Sequence, residues 1–548
     1  MENLWLNLKK EIANALKADI TEIEEPEEYG DLAYACFSLA KKLKKDPKEI
    51  AIEFSKKLKI KLIDKVEAVG PYVNFYVDWG KFAKELLKNV NEKYGSFDER
   101  ETVIMDVFQP NPFKPFHIGH IRCAVLGESI RRMLEFCGKK TIAVSYMGDV
   151  GTHVAKWLWY YTKFYKGEIP KEDVSKWAGE IYAEATRKVA EKPEYEEEVK
   201  EFNKKLDNRD SEIINTWKEI RDLCLKDFWK IKDELGVHLD DNFYESEVEE
   251  PGRKIVQQLL KEGKAKISEG AVVADLEKYG LNTFLLLKSD GTALYSTKDL
   301  GLNELKRKKY EFDKSIFVVA TEQELYFKQL FKAMEIFNIP GWEKNFHVSF
   351  GLVTLKEGKM SSRFGTVILY EDLRDEMISK VKEILKDSEV KDNENIIRKV
   401  AFAAIKFPML NIDSKKTIKF DWDQALDLEG KSGPYLQYSY VRAFNILNKA
   451  EIKDYDASLL KEDIETKLIK KIANFPDIIK QSTDQYAPNI LANYLFELAQ
   501  DFNSFYHSSP VLKAEENIKN ARLKLVESIE IILKTGLELL GIPILEKM

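Results

Sequence analysis

Cysteine is scarce in this chain: four in 548 residues, at Cys36, Cys123, Cys137 and Cys224, with no CxxC pair. That spacing argues against a structural zinc site and fits a reducing, cytoplasmic setting. Also missing is any apolar run near the roughly 20 residues needed to span a bilayer. The opening stretch, MENLWLNLKKEIANALK, is charged throughout and amphipathic, so it reads as a helix and not as a signal peptide. Net positive charge is absent as well: the formal net charge is −7. This removes the simplest argument for a nucleic-acid partner but does not exclude one, because RNA affinity depends on local basic surface. Histidine is rare too, at six residues, yet His117, His120 and His153 fall in one short segment. That concentration points to a site.

What is present is a hydrophobic share of 44%, ordinary for a globular protein, in a chain too long for one core. The segment Thr102 to Cys137 organises the rest. Thr102 to Phe108 is an apolar, β-branched run that predicts a buried parallel strand. A proline-broken loop, QPNPFKPF, leads through His117-Ile118-Gly119-His120 into a helix capped by Gly138, and Thr141 to Tyr146 is a second strand. Two imidazoles at a helix amino end suit phosphate chemistry. The free N–H groups and the helix dipole favour anions there, and Gly119 lets a nucleotide approach the backbone.

Around this βαβ unit the pattern predicts three parts. Residues 1–98 read as helices on a small antiparallel sheet, closed by a strand-like run from Val66 to Val77. Alternation there puts Tyr72 and Asn74 on one face, a pair suited to an unpaired RNA base, or simply an ordinary edge strand. Residues 99–372 form an α/β unit, interrupted over about 157–270 by charged helices. The sheet is expected to resume with Ala271 to Leu276 and Thr283 to Leu287, and Asp290-Gly291 signals a hairpin. Residues 373–548 are helical throughout, predicting an all-α bundle. In it Tyr435, Tyr438 and Arg442 share a helical face at spacings of three and four. They would suit unstacked bases, or a core tyrosine pair beside a solvated arginine.

A second cluster, Lys359, Met360, Ser361, Ser362 and Arg363, lies in a loop flanked by Gly358 and Gly365. Such a loop can bring cationic and hydroxyl donors to a departing pyrophosphate.

Taken together, PNPFKPFHIGHIRCAVLGES and GKMSSR resemble the two signatures of class I aminoacyl-tRNA synthetases, in the form carried by arginyl-tRNA synthetases. GDLAYACFSLAK and PYVNFYV resemble that family's N-terminal domain, and GPYLQYSYVRAFNIL its anticodon-binding domain. The resemblance implies a Rossmann-type catalytic domain using ATP with Mg2+. The reaction would form arginyl-adenylate, release pyrophosphate and transfer arginine to the 3′-terminal adenosine of tRNA(Arg), with tRNA needed before activation. Lys114, His117, Gly119, His120, Lys359 and Ser361 would be catalytic, and Met360, Ser362 and Arg363 would join them around ATP. Asp106, Asn111, Tyr295, Asp299 and Gln323 would bind arginine, because a guanidinium needs carboxylates and neutral acceptors. Tyr72 and Asn74 would meet the tRNA D-loop, and Tyr435, Tyr438 and Arg442 the anticodon loop. The fourth signature position, a lysine in the usual pattern, is Ser362 here. Lys114 can supply that charge, or it is only a solvent-facing loop lysine. A monomer without zinc is expected. A class I enzyme for another amino acid, or a silent RNA-binding relative, would share part of these features.

Overall fold

The computed structural model describes residues 3–26, 28–355 and 368–548. The helix Leu4–Leu16 starts where the Asn3 side chain accepts the Leu6 N–H at 3.1 Å. It buries Trp5, which stacks on Trp79 with ring centres 5.9 Å apart. A four-stranded antiparallel sheet follows, in the order Ile23–Glu24, Leu32–Ala35, Tyr72–Val77, Ile63–Val69. The run expected as one strand from Val66 to Val77 is instead a hairpin. Gly70, at φ +60, and Pro71 reverse the chain inside it.

The central sheet has five parallel strands in the order Asn345–Phe350, Lys314–Ala320, Thr102–Phe108, Lys140–Met147, Asp241–Tyr244. Numbered along the chain this is 5-4-1-2-3, a doubly wound sheet whose order reverses between Thr102–Phe108 and Lys314–Ala320. A crevice opens outside the strand ends at such a reversal, and ligands bind there. One expectation needs correction: the sheet resumes at Asp241–Tyr244, not at Ala271. Ala271–Ala274 and Phe284–Leu287 form a separate antiparallel sheet with Lys266–Ser268. Period-two alternation identifies a strand but not the sheet it joins, and that ambiguity produced the error.

Between the second and third parallel strands lie the helices Thr152–Lys163, Val174–Val189, Pro193–Asp207 and Ser211–Glu234. Their own core contains Trp157, Trp159, Phe202 and Trp217, together with Phe113 from the proline loop. Phe113 has φ +70, a region bulky residues rarely enter. Its ring packs 5.3 Å from that of Trp157, so the helical layer holds the loop in this conformation.

The carboxyl-terminal part is helical, from Tyr370–Ile384 to Glu516–Leu539. One hydrophobic core runs through the amino-terminal sheet, the parallel sheet and this bundle. A short parallel pair, Val353–Leu355 with Ile418–Phe420, ties bundle to catalytic sheet. Beside it Arg122, fully buried on the helix Ile118–Phe136, donates to the carbonyls of Gly351, Leu352, Ser414 and Lys416. Among the described residues no helix is long and apolar enough to cross a membrane.

Candidate active site

At the start of the helix Ile118–Phe136, His117 is the cap: its Nδ1 accepts the Gly119 N–H at 3.1 Å. His120 returns the favour, its Nδ1 accepting the His117 N–H at 3.2 Å. The rings stack with centres 3.8 Å apart. A Cβ on Gly119 would stand 3.0 Å from His117 Cε1, so only glycine leaves this ring in place. Burial, then the charge of Lys114, pushes the His117 imidazole down to about 4, and burial pushes His120 well below its ordinary value. Both rings are therefore neutral near pH 7. With each Nδ1 accepting, each ring proton sits on Nε2, and the two Nε2–H groups are free to donate.

These rings line a cavity of about 420 Å³ with Asn111, Lys114, Pro115, Tyr182 and Leu369. Its floor is fastened to the chain that follows residue 367: Ile118 N–H donates to Ile368 O at 2.9 Å, and Tyr370 N–H to Phe116 O at 3.0 Å. The second signature, Lys359 to Arg363, lies outside the described residues.

Asn111 connects this cavity to a second cluster. Its Oδ1 accepts the Gly148 N–H at 3.0 Å, and a Cβ on Gly148 would fall 2.4 Å from that oxygen and 3.0 Å from Glu245 Oε1. Behind them are three carboxyl groups, two buried and one, that of Asp299, half-buried. Asp106 pairs with the buried Lys306 and keeps its Oδ1 without a hydrogen bond. Glu245 pairs with Lys298 at 2.6 Å. Asp299 accepts a hydrogen bond from the Tyr326 hydroxyl. Burial, and then the charges of Glu245 and Asp106, raise the Asp299 carboxyl to about 7 against the Tyr326 hydrogen bond. Of the three carboxyls, Asp106 and Glu245 each have an ammonium partner, while Asp299 has no ion pair among the described residues. Tyr295 stands at the mouth, 63% exposed, with Glu245 and Lys298 acting on its hydroxyl.

The structure thus joins Asp106, Asn111 and Asp299, with Tyr295 at the rim. Gln323 is exposed and hydrogen-bonds to none of these acids; Tyr326, three residues further on, does. Sequence reasoning missed Glu245, Lys298, Lys306 and Tyr326. For Glu245 a signal existed: it begins the helix after the strand Asp241–Tyr244, at the carboxyl edge where such sheets bind ligands.

Further out, Tyr72 is 38% exposed and packs edge-on against Phe37, while Asn74 is 3% exposed beneath Gly30, its Nδ2 unpartnered. The two share a face of the strand, but only Tyr72 reaches solvent. In the helix Gly433–Leu447, Tyr435 is buried against Phe496, its hydroxyl accepting from Asn503 at 2.9 Å. Tyr438 is exposed, and the Arg442 guanidinium lies between its ring and that of Tyr506, at 4.7 and 4.5 Å.

Comparison with known proteins adds three matches along the chain. Residues 83–422 match a family model described as tRNA synthetases class I (R), catalytic domain. Residues 436–548 match a DALR anticodon binding domain, and residues 3–77 an arginyl tRNA synthetase N terminal domain. The arginine–tRNA ligase of Halothermothrix orenii is 36% identical over 541 residues, covering 96% of this chain and 95% of that protein. That of Clostridium perfringens is 37% identical, with 96% of each chain covered. The arginyl-tRNA synthetase structure of Thermus thermophilus superposes with a TM-score of 0.83 at 27% identity, over 99% of both chains.

Proposed function

This chain belongs to the class I arginyl-tRNA synthetases, and on that premise we propose how its own side chains carry the ligation of arginine to tRNA. The observation that carries the reading is the Asp299 carboxyl, without an ion pair among the described residues, beside the neutral histidine pair. A cationic amino acid supplies the missing positive charge, and its carboxylate then lies toward the phosphate end of the site. Asp299 and Glu245 take the guanidinium, a planar fork of five donors suited to two carboxylates. Asp106 offers its unpartnered Oδ1, Asn111 and Tyr295 close the sides, and Gln323, exposed three residues past the Lys314–Ala320 strand, meets the substrate from the solvent side.

Arginine carboxylate attacks the α-phosphorus of ATP, which enters as its magnesium complex with the ion on its phosphate oxygens. Charge grows on the α-phosphate and on departing pyrophosphate. The Nε2–H groups of His117 and His120 donate to those oxygens, fixed in direction by their caps. Lys114 supplies the cation that Ser362 does not, with Lys359, Met360, Ser361 and Arg363 completing the nucleotide site from the second signature. Transfer to the 3′-terminal adenosine follows, initially to the 2′-hydroxyl as class I membership implies.

For the RNA, Tyr72 and Asn74 meet the D-loop, while Tyr438 and Arg442, supported by Tyr435 below, meet the anticodon loop. The units divide near residues 98 and 372, and the protein works in the cytosol as a monomer. Pyrophosphate exchange with each amino acid, with and without bulk tRNA, is the test. Exchange with arginine alone among the twenty, and only when tRNA is present, is expected; exchange driven by another amino acid refutes the assignment.

A further inference from the structure

Two lysines meet at Tyr182, a ring that lines the histidine cavity. Lys114, in the proline loop, and Lys156, in the helix Thr152–Lys163, both place their ammonium nitrogens against the ring of Tyr182, at 5.4 and 5.7 Å from its centre. Among the described residues neither forms an ion pair with an acid. Tyr182 belongs to the helix Val174–Val189, which crosses the proline loop closely because Gly179 has no side chain. A Cβ there would stand 2.6 Å from Pro115 Cβ. The ring is therefore delivered to the cavity by helix-on-loop packing, and the cations are gathered on it.

Two ammonium groups around one aromatic ring repel each other. Burial pushes the Lys114 ammonium below its ordinary range, Glu245 opposes that, and Lys156 adds to it. A polyanion removes that repulsion and gains two charge-assisted hydrogen bonds. Lys114 lies three residues before His117, and both line the same cavity.

We propose that Lys156 binds the triphosphate of ATP together with Lys114, and that Tyr182 is the positioning residue that holds both ammonium groups for it. This rests on the arginyl-tRNA synthetase reading above and deepens it: the cation missing at Ser362 is replaced by a pair, one from the catalytic loop and one from the helical layer. In the step served, the carboxylate oxygen of arginine bonds to the α-phosphorus. The bond from that phosphorus to the bridging oxygen breaks, and its electron pair leaves on pyrophosphate beside the two lysines.

The test uses the full-length enzyme with Lys156→Ala, Lys156→Arg, Tyr182→Phe and Tyr182→Leu. Melting temperature and the kinetic constants for ATP, arginine and tRNA are measured for each, with product inhibition by pyrophosphate. Lys156→Ala should lower kcat/KM for ATP by about 10²-fold, the scale of losing one fixed donor at a developing charge. It should also weaken pyrophosphate inhibition while leaving KM for arginine and for tRNA in place, and Lys156→Arg should restore most of the loss. Tyr182→Phe, which keeps the ring, should retain more of the same constant than Tyr182→Leu, which should lose roughly three- to tenfold. Wild-type ATP constants in Lys156→Ala overturn the proposal. So does a rise in KM confined to tRNA, which would assign the cation to a phosphodiester of the RNA 3′ end. Where Tyr182→Leu melts early, the Lys156→Ala and Lys156→Arg pair decides. Lys114→Ala reports separately on the nucleotide site, so failure at Lys156 alone leaves the wider reading standing.

Discussion

Exchanging one oxygen of Asp299 for an amide, in Asp299→Asn, should make this protein more stable and nearly unable to hold arginine. The carboxyl is half-buried and accepts one hydrogen bond, from Tyr326. Its pKa, about 7 against an ordinary 3.8, is raised first by burial and then by Glu245 and Asp106. Between those values the folded protein holds a proton that the unfolded chain has released. Stability therefore falls as pH rises from about 4 to about 7 and levels off above that. Roughly three units at about 1.36 kcal/mol each put the cost of the ionised form at about 4 kcal/mol. Asparagine keeps an acceptor for Tyr326 and carries no charge. Its melting temperature should exceed that of wild type, and the gap should widen between about pH 4 and about pH 7. Binding moves the other way. Wild-type kcat/KM for arginine should fall about tenfold per unit below about pH 7 as the free carboxyl takes up its proton. The variant should lose this dependence and about 1.5–3 kcal/mol of arginine affinity, the worth of a charged hydrogen bond, with KM for ATP unchanged. Calorimetry across pH and steady-state charging read the two halves. An arginine KM equal to wild type, or a stability gap indifferent to pH, would refute the charge argument.

Three further outcomes are expected. Glu245→Gln should raise KM for arginine and also destabilise the fold, by less than the roughly 3–5 kcal/mol of a stranded buried charge, since the buried Lys298 ammonium keeps Glu249 at 3.8 Å; Glu245→Gln with Lys298→Met should recover stability in denaturant melts without recovering arginine binding. Lys114→Ala should slow adenylate formation by about 10²–10³, measured by single-turnover quench, with little change in arginine affinity, and Ser362→Lys should partly restore it. Tyr438→Ala with Arg442→Ala should weaken tRNA binding by about 1–3 kcal/mol for each stacked base, read as KM for tRNA; normal charging by that double variant would remove this surface from the RNA contact.

The features set by local chemistry were legible in the residues. The proline loop, the imidazole pair at a helix start, the strand before it and the Gly138 end all follow from short-range rules, and all stand in the structure. What escaped depends on distant chain. Glu245 follows a strand of only four residues that opens with an aspartate, and it was absorbed into the helical insertion. Nothing near Asn74 in sequence announces that the loop at Gly30 will cover it. Helical spacing placed Tyr435 with Tyr438, but the neighbouring helix that brings Phe496 decides that one is buried and the other is not. Lys156 and Tyr182 come from a stretch whose charged, aromatic pattern reads as ordinary packing. Only the fold brings Lys156 and Lys114 together on the Tyr182 ring.

Arg122 sets a limit on how this protein can be divided. It stands two residues beyond His120, and its four carbonyl acceptors come half from the end of the catalytic sheet and half from residues 414–416. A catalytic fragment cut before Asp413 would keep the guanidinium in an apolar interior with two of those acceptors gone, an outcome that costs more than an exposed charge ever would. A chimera carrying another relative's helical half would have to present two main-chain oxygens at the same spacing, whatever its side chains. The boundary between the halves is therefore conditioned by backbone geometry more than by sequence. Parts exchanged across it will fit or fail on the path of residues 414–416 before any recognition of RNA is put to use.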